Sequence, residues 1–160
     1  MLQSGLRRED DEDTDRVRLD QFAPAAERVD GGHGITVLRA GADCRSWNGV
    51  RYKSGLSSRN VGAKSLSMNV ATVPPGGVAA AHVHVGFEVM LYILRGQVRH
   101  RYGPGLRQSI DNEAGDFIFI EPGVPHEVIN LSATEPVVAV VARSDPDEWE
   151  HIAPYERDDA

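Results

Sequence analysis

The spacing within His82-Val83-His84-Val85-Gly86-Phe87-Glu88 decides what kind of chain surrounds it. Side chains at i and i+2 of a β-strand leave the same face, so His82 and His84 are expected to point into one space. A turn at Val85-Gly86 then brings Glu88 back toward them at the start of the next strand. Two imidazoles and a carboxylate converging on one point can hold a divalent transition metal. A fourth donor, His126, follows the turn Pro122-Gly123-Val124-Pro125.

Such a site needs strands, and the chain supplies them at close spacing. Ile35–Leu38 is β-branched and apolar, Val50–Leu56 alternates, and Lys64–Val73 offers Met68 and Val70 on one face and Ser67 and Asn69 on the other. Pro74-Pro75-Gly76-Gly77 must turn, since two prolines cannot sit inside a ladder. Further strands are expected at Ala79–Val85, Glu88–Leu94, Gln97–Tyr102, Arg107–Ile110, Phe117–Ile120, His126–Asn130 and Val137–Ala142. The stretch Asp111–Asp116 between two of them reads as a turn. Short strands of this regularity, with 16 glycines and 9 prolines between them, describe an all-β barrel or double-sheet jelly roll. Residues 1–32 are charged, lack a sustained apolar period and read as a flexible arm, with a short helical turn around Arg16–Phe22 as the less favoured alternative. The barrel is expected over 33–145. The extension 146–160 follows, with a helical turn or an irregular stretch at Asp145–Glu150 and frayed residues from Tyr155.

Composition narrows the partners. A net charge of −7 argues against nonspecific nucleic-acid or anionic-membrane binding. No apolar run is long enough to cross a bilayer and no signal peptide precedes the barrel, so a cytoplasmic protein is expected. The single cysteine, Cys44, excludes an intrachain disulfide and a cysteine-rich zinc module. Neither a Ser-His-Asp grouping nor a phosphate-cradling glycine loop is present.

The stretches Gly76-x5-His82-x-His84-x3-Glu88-x7-Gly96 and Gly115-x7-Gly123-x2-His126-x3-Asn130 resemble the two motifs of the cupin family, and within it small bacterial single-domain members. The resemblance implies a cupin-type double-stranded β-helix and a metal site of three histidines and one glutamate: His82, His84, Glu88 and His126. It permits an oxygenase (the first choice), a non-redox isomerase, cyclase or lyase, or a non-catalytic binding module. Two departures stand out. The spacing from Glu88 to Gly96 is one residue longer than the family's usual one, which a β-bulge would absorb, and Glu121 stands where the family usually has proline.

On donor chemistry, three nitrogens and one oxygen suit one ion of Fe, Mn, Ni, Co or Zn and not calcium. Pocket candidates are Asn69 or Met68, depending on which face of the 64–73 strand turns inward, with Tyr92, Phe119 and Asn130; Tyr52 is a further wall candidate. In Gln97–Tyr102, Arg99 and Arg101 are expected outward, leaving His100 a buried neighbour of the site. The expected partners are a small-molecule substrate and, through a sheet edge, a second copy of the chain as a homodimer.

Overall fold

The computed structural model describes residues 29–39, 45–147 and 150–157. A hairpin of β1 (Val29–Gly32) and β2 (Ile35–Leu38) forms a sheet of its own, and its first strand begins inside the segment expected as an arm. The alternative of a helical turn at Arg16–Phe22 lies outside the described residues. Next come β3 (Arg45–Trp47) and β4 (Val50–Leu56). They are joined by Asn48-Gly49 with φ of 54° and 79°, the left-handed pair that a two-residue hairpin requires. A single helical turn, α1 (Ser58–Val61), is held by reciprocal capping between Ser57 and Asn60.

The remaining strands are β5 (Ser67–Val73), β6 (Val78–His84), β7 (Val89–Arg95), β8 (Gln97–Tyr102), β9 (Gln108–Glu113), β10 (Phe117–Ile120), β11 (His126–Asn130), β12 (Val137–Arg143) and β13 (Ile152–Pro154). They assemble into two antiparallel sheets, ordered β10-β7-β12-β5-β4-β3 and β13-β6-β11-β8-β9. Together they make the expected all-β jelly roll, with the core between the sheets. One group of buried residues centres on Tyr52, Ile93, Val98 and Val137, and a second on Phe87, Val89, Ile120 and Val141.

Three stretches depart from the sequence reading. The segment Asp111–Glu113 belongs to β9, not to a turn, because cross-strand partners hold it: Arg99 with Asp111 and His100 with Asn112. The expected extension is tied back to the barrel, with β13 pairing to β6. Tyr155, expected to fray, donates its amide to Ala81 O at 3.0 Å and accepts from Gly105 N at 3.0 Å. Arg157 binds the buried Glu127 carboxylate at 2.7 Å beside Arg101.

The face of β5 is settled by burial. Ser67 and Asn69 turn inward at 1% exposure each, while Met68 is 47% exposed. The bulge expected between Glu88 and Gly96 lies at Leu94. There Val138 pairs with Arg95 and the next residue, Ala139, with Ile93, so one residue of β7 has no partner on β12.

Candidate metal centre

β6 carries His82 and His84 on its inward face, and β11 begins with His126 directly opposite His82 in the sheet register. All three are buried, and one donor atom from each lies within 4.8 Å of the others. The ring centroids are 4.3 Å (His82–His126), 4.8 Å (His84–His126) and 5.0 Å (His82–His84) apart. The turn before β11 is fastened to β6, with Gly123 N donating to His84 O at 2.8 Å. That bond links the backbone of one histidine to the loop that delivers another.

Backbone carbonyls orient two of the rings. His82 Nδ1 is 2.7 Å from Ala80 O and His126 Nδ1 is 2.9 Å from Val124 O. A carbonyl only accepts, so each Nδ1 carries the proton and each Nε2 keeps a lone pair available for a metal. His84 differs: its Nδ1 is buried with no hydrogen-bond partner among the described residues.

Burial keeps the cluster neutral. Desolvation chiefly, then the neighbouring His126, pushes His82 down to about 4 and His84 down to about 2, with Arg143 adding to both. Burial also lowers His126. Neutral imidazole is the metal-binding form, so the donor set is ready well below neutral pH.

The cluster faces a cavity between the sheets with about 660 Å³ of atom-free space, solvent at its mouth included. Its wall is largely aliphatic, including Val50, Val89, Ile93 and Ile118, with His100, Tyr52 and Arg143 as further polar groups. Arg143 is 4% exposed. The sequence reading missed it, although the alternation of β12 places residues 137, 139, 141 and 143 on one face.

Glu88 does not join the group, which corrects the expected fourth ligand. The chain turns at Gly86 (φ 81°) and sends Phe87 inward at 3% exposure, its ring 5.1 Å from that of His84. Val89, at 2%, takes the next inward place. Period-two alternation then turns Glu88 out to solvent.

The pocket candidates separate in the same way. Met68 and Tyr92 lie on the outer face of the six-stranded sheet, the Tyr92 ring tilted against that of Phe117 with centroids 4.5 Å apart, because the apolar Val89, Leu91 and Ile93 occupy the inward positions of β7. Asn69 is buried but does not line the cavity. Phe119 is 52% exposed and faces an open groove beside the barrel. Asn130 staples loops: its Nδ2 donates to the carbonyls of Val73, Pro74 and Glu135, so it is a structural residue and not a pocket one. Tyr52 does line the cavity, and Glu121 is exposed on the groove rim.

The family model described as "Cupin domain" matches residues 69–143, the span from β5 to the end of β12. Residues 69–143 are a cupin domain. Among solved structures, the chain resembles the cupin domain of Cnp3 from Schizosaccharomyces pombe, at 12% identity over 60% of this chain and 64% of that one, TM-score 0.52. It also resembles the oxalate decarboxylase of Lactobacillus farciminis in its formate complex, at 19% identity over 64% of this chain and 31% of that one, TM-score 0.56. A third likeness is to the polyketide cyclase RemF from Streptomyces resistomycificus, at 20% identity over 68% and 72% of the two chains, TM-score 0.57. The matched region is less than two-thirds of the length of the first two. At these identities the likeness is one of fold. No functionally curated sequence matches this chain. Among the described residues, no helix is long and apolar enough to cross a membrane.

Proposed function

We propose that the protein is a metal-dependent enzyme acting on a small organic molecule inside the barrel, with oxygenation as the first-choice reaction. One observation carries this reading: three buried histidine donors within 4.8 Å of one another open onto a largely apolar cavity. His82, His84 and His126 would hold one divalent ion of Fe, Mn, Ni, Co or Zn, and three neutral nitrogens fit that class. The unpartnered, buried His84 Nδ1 is a further sign that the cluster is built around a group it does not itself contain. When bound, the ion supplies Lewis-acid or redox chemistry at coordination positions the protein leaves open.

The chain's own residues do the rest. Ala80 O and Val124 O hold two imidazoles in the donor tautomer. Arg143 disfavours protonation of His82 and His84 and so keeps them as donors. The aliphatic wall excludes water, which strengthens every electrostatic contact with a bound molecule.

A second reading is a non-redox isomerase, cyclase or lyase. It is favoured by the outward Glu88, because three neutral donors leave the full ionic charge to polarise a substrate carbonyl. The names of the matched structures, a decarboxylase acting on oxalate and a polyketide cyclase, do not choose between the two readings.

Metal analysis of the purified protein, followed by oxygen uptake with enol, diol and thiol candidates, tests the proposal. The expected result is iron or another redox metal and substrate-dependent oxygen consumption. Bound zinc with no oxygen uptake would sink the oxygenase and leave the non-redox reading. We also propose that the protein works as a homodimer through the exposed apolar outer face of its six-stranded sheet.

A further inference from the structure

Within the cavity that the proposed function uses, one buried polar side chain has no task in holding the three-histidine cluster. His100, on β8, is 5% exposed. Its Nδ1 is 3.0 Å from Asn112 Oδ1 on the neighbouring strand β9. An amide oxygen accepts only, so Nδ1 holds the proton and Nε2 is a lone-pair acceptor. Nε2 is itself buried and has no hydrogen-bond partner among the described residues. His100 stands outside the group of donor atoms that lie within 4.8 Å of one another. With Ile118, Ile120 and His126 it lines both the main cavity and the open groove between the free edges of β9 and β10. A molecule entering along the groove therefore passes His100 beside the cluster.

A buried acceptor left unsatisfied costs free energy, and a ligand that supplies a donor recovers it. We propose that His100 is a ligand-positioning residue that accepts a hydrogen bond from a hydroxyl group. The cavity would then take a compact, largely apolar molecule bearing an O–H donor, of the phenol or enol class. This deepens the enzyme reading and rests on the barrel cavity being its ligand site. Methyl ethers of the same molecules are discriminated against, since they would leave Nε2 buried and unpaired.

The test uses 4-fluorophenol and 4-fluoroanisole, a pair differing in the donor, with binding to the full chain followed by fluorine NMR. Wild type is expected to bind the phenol about tenfold more tightly, the worth of one such hydrogen bond. His100→Phe is expected to bind the two alike, and His100→Gln, whose amide oxygen can accept, to restore part of the preference. Asn112→Leu frees the tautomer and is expected to weaken the preference, which keeps the question answerable if His100→Phe does not fold. Equal binding by wild type, no binding of either compound, or a preference that survives in His100→Phe would overturn the proposal. Co(II) uptake, read from visible absorption, is a separate arm. His100→Phe should load as wild type does, and loss of loading there would make His100 a ligand and overturn its assigned role. If wild type itself takes no Co(II), the metal reading fails, while the phenol-to-anisole ratio still reports on His100.

Discussion

His84 is the residue on which the proposed centre depends most directly, since its buried Nδ1 lacks a partner among the described residues whereas His82 and His126 each bond a backbone carbonyl. His84→Ala is expected to abolish stoichiometric Co(II) or Zn(II) uptake measured by calorimetry. Glu88→Gln should leave the affinity within about twofold, because an exposed side chain contributes little to a buried centre. Comparable losses in both variants would return Glu88 to the ligand set. The histidines also set a pH dependence for the metal-free protein. Their folded values lie below the ordinary 6.5, His82 and His100 each at about 4. The unfolded chain therefore binds more protons than the folded one between pH 6.5 and 4. Stability is fully present above 6.5 and drains away as pH falls through that window, by on the order of a few kcal/mol. Urea unfolding at pH 7.5 and 5.0 measures this, and a flat profile would contradict the buried, neutral state of these rings.

At the scale of elements, the face of β7 decides the donor set. The sequence shows Glu88 at nearly the family's spacing and one residue too many before Gly96. Both a strand with Glu88 inward and one with Val89 inward are compatible with that count. Packing breaks the tie, because Phe87, Val89 and Ile93 fill the core and the surplus residue is accommodated at Leu94. This is why two histidines one residue apart, and a third after a Pro-Gly turn, were legible along with the jelly roll, while the glutamate was misassigned. The same limit hid Asn112, which looked like turn chemistry until its partner across the strand was known. Arg143 was overlooked for another reason: a charge ending an apolar strand reads as the strand's exit to solvent. The β3–β4 hairpin offers a test of element geometry. At Gly49, φ is +79° and an added Cβ would sit 2.1 Å from Val78 O on β6. Gly49→Ala should cost more than about 1 kcal/mol in denaturant unfolding. It should also disturb His82, which Asn48 approaches to 3.3 Å. Ile93→Ala, at 2% exposure, should cost about 2–5 kcal/mol without changing metal stoichiometry.

Over the whole molecule, the outer face of the six-stranded sheet is unusually apolar. The registers align Phe119, Met90, Ala142, Met68 and Leu56 in one row across five strands. Beside that row, Phe117 is 83% exposed. A contiguous apolar patch on a sheet face marks an interaction surface, and two copies related by a two-fold axis can each present it to the other. The homodimer expected from sheet edges is thus better supplied by this face than by edge pairing. Sedimentation should give a dimer at micromolar concentration, and Phe117→Asp combined with Met90→Asp should give a folded monomer. A wild-type chain that stays monomeric at every concentration would remove the dimer from the proposal.

The strand that bears two of the three clustered histidines is flanked on one side by the short strand Ile152–Pro154. Without it, that margin of β6 would lie open, and an open strand margin recruits strands from other molecules. Pro154 stands opposite His82 and carries no N–H, so the covering strand is itself a poor template for further addition. A chain truncated before Ile152 would keep every histidine donor and lose colloidal stability instead. Its defect would register as light scattering and thioflavin fluorescence, with the metal stoichiometry of its soluble fraction unchanged.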